Sequence, residues 1–304
     1  MKKVLGLLCA TAASALVATS AQATTGFLKI HMLNAGDGRA DCFIIELPDN
    51  TKMVVDVADG WDTTLISKLQ ALGFGGGIKY LVGSHEHVDH IGGMDEFLNS
   101  GFTINNTQIY YPKGAVNGDG PHYVNLAAAC NRRGLAINKM VAGQYIINTT
   151  FNGLAFKVRA ISPENSLVDG GSDDWQTENE ASLILKVTYG NKSILLQGDG
   201  YGSTELSILA GPYAREVSAC QVLKVGHHGV NANCALSCRE AYLDASGVSK
   251  ALITNGYLGI DATIKSRLQA RNIHYWSTGS GDGYSWLSTD GTSNWVEGEA
   301  PLWP

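Results

Sequence analysis

The sequence predicts an α/β fold in which β-sheets are covered by helices. Three observations predict it: short apolar runs recur along the chain, stretches of helical periodicity fall between them, and no linker or low-complexity tract divides the 304 residues. The runs at 27–33, 42–47, 52–57 and 79–83 are bounded by Gly, Asp and Asn and are expected strands, with a helix at 63–72 before the last of them. A second set follows at 156–161, 182–189, 193–197, 221–225 and 250–254, with helices expected at 203–210 and 262–271. The segment 99–147 carries few strong signals beyond a helix around 124–133, and is expected as an insertion over one face. The polar stretch 169–180 is expected as a loop. A chain of this size can bury a full core, so 24–304 is expected to be one domain.

The first residues have the character of a secretory signal. Lys2 and Lys3 precede an apolar stretch rich in small residues, and Ala21-Gln22-Ala23 forms an A-x-A cleavage site, which sets the expected signal peptide at 1–23 and the mature start at Thr24. The apolar stretch is too short and too rich in Ala, Ser and Thr for a membrane span, so the mature chain is expected to be exported, periplasmic or secreted, with no span. Removing Lys2 and Lys3 takes the formal charge from −6 to −8. An acidic body of this kind offers polyanions little general attraction, so nucleic acid is not favoured as a partner, although a local basic groove would still permit it. Cys42, Cys130, Cys220, Cys234 and Cys238 remain after cleavage, and in an oxidising compartment at least one disulfide is expected among the last four. Cys42, inside an apolar run, is expected to be a small buried residue. No heptad run or other association element is visible, so a monomer is expected.

The densest chemistry lies at Ser84-His85-Glu86-His87-Val88-Asp89-His90-Ile91-Gly92-Gly93, directly after an expected strand. Three histidines and an aspartate within six residues make an H-x-H-x-D-H pattern. On a loop at a strand end, His85 and His87 can turn neutral imidazoles toward one ion while Asp89 and His90 turn toward a second. Histidine-rich ligation suits zinc, and mixed nitrogen and oxygen sites also accept manganese or iron. His122 and His274 are isolated and are expected to be surface or packing histidines.

An H-x-H-x-D-H block after a strand resembles the metallo-β-lactamase superfamily. The resemblance extends to Gln197-Gly198-Asp199, similar to that family's bridging aspartate, and to Lys224-Val225-Gly226-His227-His228-Gly229, similar to its late histidine motif. More narrowly, the chain resembles the ComEC-type competence hydrolase domain and secreted phosphorylcholine esterases. The matching pieces are Gly36-Asp37-Gly38, Val54-Val55-Asp56, the histidine block, Asn179-Glu180-Ala181-Ser182-Leu183, the Gly198-Asp199 strand end with Glu205, and His227-His228-Gly229. Two departures stand out. No histidine occurs between the first block and Asp199, where the strand ends in Ser162-Pro163-Glu164, and the late Asn255-Gly256 is followed by Tyr257 where the ComEC type carries a histidine.

The resemblance implies a four-layer αββα sandwich and a two-metal hydrolase whose metal ligands are His85, His87, Asp89, His90, Asp199 and His228. Asp89 and His227 are the expected catalytic groups, with the roles of His227 and His228 open to exchange. Asp56, at a strand end, is expected to orient a metal-bound histidine or to be a turn carboxylate. The cofactor implied is a pair of divalent ions, zinc before manganese or iron. The leading substrate class is a small-molecule phosphoester. The alternatives are a lactone, a β-lactam or another carboxylic ester or amide, a secreted nuclease, and a metal-binding module without catalysis.

Overall fold

A computed structural model of the chain describes residues 26–33, 39–74, 77–100, 106–113, 120–164, 175–230, 236–256, 259–278 and 284–300. The expected signal peptide, Gly36-Asp37-Gly38, Cys234 and Tyr257 lie outside the described residues.

The strands fall into two sheets, and the burial pattern of each strand shows why. In β2 (Phe43–Glu46), Phe43 and Ile45 point into the space between the sheets while Ile44 points to the opposite face, and all three are buried. β3 (Lys52–Val55) repeats this with Met53 and Val55 on one side and Val54 on the other. A strand with no polar face has to be covered on both sides, which is the requirement a sandwich between helical layers meets.

In the first sheet, β1 (Leu28–Met32), β2 and β3 run antiparallel, and β4 (Tyr80–Val82), β5 (Gln108–Pro112) and β6 (Ile137–Met140) continue from β3 in parallel. In the second, β7 (Tyr145–Phe151), β8 (Leu154–Ala160), β9 (Leu185–Tyr189) and β10 (Lys192–Leu196) are antiparallel. From β10, the strands β11 (Val222–Lys224), β12 (Lys250–Ile253) and β13 (His274–Ser277) are parallel. β14 (Tyr284–Thr289) and β15 (Val296–Ala300) close the free side of β1.

Parallel neighbours need crossover connections, and here these are helices on the outer faces. α1 (Asp62–Ala71), α3 (Met94–Asn99) and α4 (Pro121–Arg132) bury Leu65, Leu69, Met94, Phe97, Leu98 and Leu126 against the first sheet. α6 (Gly202–Ala210), α8 (Glu240–Ser246) and α9 (Ala262–Ala270) do the same for the second with Ile208, Tyr242, Leu243, Ile264 and Leu268. The result is helix, sheet, sheet, helix.

Three expectations require correction. The segment 99–147 is not laid over one face: it supplies β5, α4, β6 and the start of β7, so its parallel strands extend the first sheet. Its weak pattern reflects a half-exposed edge strand, β6, and apolar residues split between two layers. In 169–180, residues 175–180 form α5 (Trp175–Glu180), and 165–174 lie outside the described residues. The cysteines are the third. Cys42, Cys130, Cys220 and Cys238 are all free and buried, the first two under the helices of the first sheet and the others under those of the second. Cys130 and Cys220 are thus separated by both sheets, which rules out a bridge between them. No described helix is long and apolar enough to cross a membrane.

Candidate metal centre

The ends of the parallel strands place the site. β3 ends at Asp56, β4 at the 84–93 loop, β10 at Asp199, β11 at His227 and His228, and β12 at Thr254, so both sheets deliver polar groups to one rim. Within the 84–93 loop, α2 (Val88–Ile91) turns Asp89 and His90 away from the line of His85 and His87. After β11, a 3-10 turn spans Gly226–Gly229, in which His227 and His228 both take left-handed backbone angles (φ 51° and 54°). Such angles are unfavourable for residues with a Cβ. The turn is held by Gly226 N donating to Gln197 Oε1 (3.1 Å), Ser237 Oγ donating to Gly226 O (2.8 Å) and His227 N donating to Gly198 O (3.3 Å).

Two groups of ligand atoms result. His90 Nε2 and His228 Nε2 are 3.2 Å apart, Asp199 Oδ1 is 3.0 Å from His90 Nε2, and Asp199 Oδ2 and Asp89 Oδ2 are 3.3 and 3.4 Å from His228 Nε2. The edges of a tetrahedron of nitrogen and oxygen ligands around zinc are about 3.3 Å, given metal–ligand distances of roughly 2.0–2.1 Å. In the second group, His85 Nε2 and His87 Nδ1 are 2.9 Å apart and Asp199 Oδ2 lies 3.9 Å from His85 Nε2. Asp199 therefore stands between the groups. Its Oδ1 is buried and, although close to His90, makes no hydrogen bond of acceptable geometry, as suits an oxygen aimed at a cation. The donor set fits divalent ions.

The electrostatics differ between the groups. Burial holds His85 well below the ordinary imidazole range and His87 down to about 4, so both are neutral and ready to ligate. Burial alone would lower His90 and His228 too, but Asp199 and the neighbouring carboxylates outweigh it, raising His90 well above its usual range and His228 to about 10. Without ions these two imidazoles carry protons that metal has to displace.

All six expected ligands converge on this rim. His227 lies beside them, its Nε2 4.0 Å from Asp199 Oδ2, its ring edge-on to Tyr201, and its Nδ1 buried with no hydrogen-bond partner. Asp56 accepts from Ser84 N (2.7 Å) and Ser84 Oγ (2.8 Å) and sits 2.9 Å from His90 Nδ1, so it fixes the ring of His90. Asn179 donates to Tyr201 OH (2.6 Å), and Ser182 Oγ accepts from Asp199 N (3.1 Å), so the 179–183 block carries the Asp199 loop. Of the isolated histidines, His274 is exposed against Trp276 and His122 is half-buried on α4. Tyr110 and Tyr111 are core residues.

Sequence reasoning missed Asp41. It is fully buried just before β2, with Oδ1 3.3 Å from His228 Nδ1 and Oδ2 3.7 Å from His90 Nδ1. Asp41, His90 and His228 thus also form a cluster able to hold a cation, but His90 Nδ1 already faces Asp56 and His228 Nδ1 faces the Thr254 carbonyl at 3.1 Å. Asp41 stands behind the rings. The only mark of it in the sequence is a lone carboxylate at the head of the apolar run Cys42-Phe43-Ile44-Ile45.

Residues 35–125 match the model of the metallo-beta-lactamase superfamily. No curated protein matches the sequence. Among solved structures, the chain is similar to the metallo-beta-lactamase fold protein YhfI from Bacillus subtilis, at 10% identity and a TM-score of 0.51, over 82% of this chain and 95% of that one. It is also similar to a metal-dependent hydrolase of the beta-lactamase superfamily, at 11% identity and a TM-score of 0.52, over 82% of this chain and 94% of that one. At such identities the likeness is one of fold.

Proposed function

We propose that this chain, a member of the metallo-β-lactamase superfamily, is an exported hydrolase of small phosphoesters that works with two divalent ions. One observation carries the reading: Asp199 stands between two groups of imidazoles, with an oxygen near each. Such a pair of sites suits in-line displacement at phosphorus, where attacking and leaving oxygens both need a cation. His85, His87 and Asp199 would hold one ion, and His90, His228, Asp89 and Asp199 the other, with zinc suited to the imidazoles and manganese or iron to the mixed set. When bound, the ions supply a water of lowered pKa and charge to neutralise the substrate oxyanion.

The protein's own groups do the rest. His85 and His87 stay neutral because they are buried. Burial also lowers His227, and its neutral ring, against Tyr201 and facing Asp199, can hydrogen-bond a leaving oxygen. Asp89, with its side chain 26% exposed, is the carboxylate of the set that reaches the solvent-side substrate. Lys224 meets the carboxylates of Asp41 and Asp199, and protonated His90 and His228 meet those of Asp56 and Asp89. Four carboxylates against these three cations leave a cradle of charge −1, which two dications that displace the two imidazole protons turn to +1. An anionic ester suits the loaded site.

Small size is supported by the fate of the basic groups. Lys224, the basic residue next to the double histidine, is 1% exposed and paired with Asp41, so it is unavailable to a polyanion, and the formal charge of the chain is −6. The test is turnover of bis-p-nitrophenyl phosphate, p-nitrophenyl phosphorylcholine, nitrocefin and a homoserine lactone, with metal content measured on the same sample. A kcat/KM for a small diester above that, per phosphate, for a single-stranded oligonucleotide at two salt concentrations is expected. Strong preference for the oligonucleotide with a KM rising steeply with salt replaces this reading by a nuclease, and turnover confined to nitrocefin or the lactone replaces it by carboxylic ester or amide hydrolysis.

A further inference from the structure

Asp41 lies just before β2 of the first sheet and Lys224 ends β11 of the second, and both are fully buried. Lys224 Nζ is 2.5 Å from Asp41 Oδ2, donates to Gly198 O at 2.6 Å and stands 3.7 Å from Asp199 Oδ1. The other oxygen of Asp41 accepts from Thr254 Oγ at 2.5 Å, and the Thr254 carbonyl faces His228 Nδ1 at 3.1 Å. The backbone of Asp41 is tied as well, its N–H donating to the Asp89 carbonyl at 2.9 Å. One residue therefore touches the loop that carries Asp89 and His90, the strand that leads to His228, and, through Lys224, the turn that carries Asp199.

We infer that Asp41 and Lys224 are positioning residues, an ion pair clamped between the two sheets that fixes the second ion's ligands, Asp89, His90, His228 and Asp199, relative to one another. Burying such a pair yields little net stability, because desolvation offsets the attraction, so its use lies in the geometry it imposes. Direction matters in that geometry. The clamp lies on the Nδ1 side of both imidazoles, and their Nε2 atoms are left facing each other and the carboxylates of Asp199 and Asp89. Partners behind ligating histidines commonly set metal affinity over a range of about 10–100-fold. The clamp reaches the first group only at Asp199, the ligand both ions share, through Lys224 Nζ at 3.7 Å from its Oδ1, whereas the contacts of Asp41 go to His90, His228, Lys224, Thr254 and the backbone of Asp89 and to neither His85 nor His87.

This inference rests on the two-ion reading of the site but not on its substrate. The test compares Lys224→Met, Asp41→Asn and Thr254→Val with the unaltered protein by competition with a chelator, resolving the two binding constants for Zn²⁺, alongside thermal unfolding of the metal-free forms. Weakening of the second constant by tenfold or more in each folded variant, with the first within about threefold, is expected. Lys224→Met is decisive on the role of Asp41: if Asp41 were itself a ligand, freeing its carboxylate would leave the second ion as tight or tighter, and that result overturns the inference. Equal weakening of both constants reduces the pair to general stability and overturns it too. Thr254→Val keeps the shape of the core and the ion pair while removing the hydroxyl that links Asp41 Oδ1 (2.5 Å) to His228 Nδ1 (3.1 Å), so an unchanged second constant in that variant overturns the inference if the charge variants do not fold. Two ions bound by the unaltered protein without phosphodiester turnover would sink the substrate class alone.

Discussion

Gly226→Ala tests whether the spacing of the two ligand turns in the second sheet sets activity. A Cβ at Gly226 would lie 2.2 Å from the Gly200 carbonyl oxygen, with Gly200 C and Ser237 Cβ both at 3.3 Å, and real Cβ contacts essentially never fall under 3.0 Å. The turns must therefore part by at least 0.8 Å, the difference between 3.0 and 2.2. Gly200 follows Asp199 and Gly226 precedes His227 and His228, so the shift separates ligands of the second ion. If it falls along their line, Asp199 Oδ2 and His228 Nε2 move from 3.3 Å to about 4.1 Å apart, past the roughly 3.3 Å edge that a tetrahedral site needs. Misplacement near 1 Å costs on the order of 10²-fold in rate, and forcing one methyl into a packed turn costs about 1–3 kcal/mol of stability. The assay is kcat/KM on bis-p-nitrophenyl phosphate with metal content and urea unfolding, beside Gly247→Ala as control. Gly247 has φ +70° with nothing within 4 Å of an added Cβ, so it should lose about 1 kcal/mol and no activity. Two bound ions and activity within threefold of the unaltered protein in Gly226→Ala would refute the reasoning.

Asp89→Ala and His90→Ala should each abolish turnover while the protein still folds, since both side chains face the rim; retained turnover in either contradicts a two-ion mechanism. Binding of the second ion should weaken more steeply from pH 8 to 6 than binding of the first, because His90 and His228 hold protons there whereas His85 and His87 do not; parallel pH dependences in chelator competition would count against this. Burial alone would raise Glu46, but His31 and Lys52 outweigh it and hold it at about 2, against an ordinary value of 4.5. A depressed carboxylate contributes stability that is present above pH 4.5 and lost as pH falls toward 2, so Glu46→Gln should flatten urea stability over that window, and an unchanged slope would show that the pair contributes nothing. Thiol titration of the denatured, unreduced mature protein should find at least four reactive thiols, those of Cys42, Cys130, Cys220 and Cys238; three or fewer would restore the disulfide expectation.

The sequence alone determined the strands with two apolar faces, the crossover helices between them and the local H-x-H-x-D-H block, because each depends on spacing within about ten residues. Asp199 and the double histidine were legible through the resemblance of their motifs to the metallo-β-lactamase superfamily. The tertiary structure decided what depends on partners distant in the chain. The pattern in 99–147 was too weak to show that its strands extend a sheet, since an edge strand with one wet face buries little to read. Cysteine count could not separate thiols buried in opposite helical layers from paired ones. Lys224 alternates between Leu223 and Val225, which in sequence is a solvent-facing position. In the sandwich that face is the space between the sheets, where a lysine needs a carboxylate, and the one it meets, Asp41, lies 183 positions earlier in the chain. Which carboxylates point at the ions and which stand behind the imidazoles depends on ring orientation, and only the packing of both sheets fixes it.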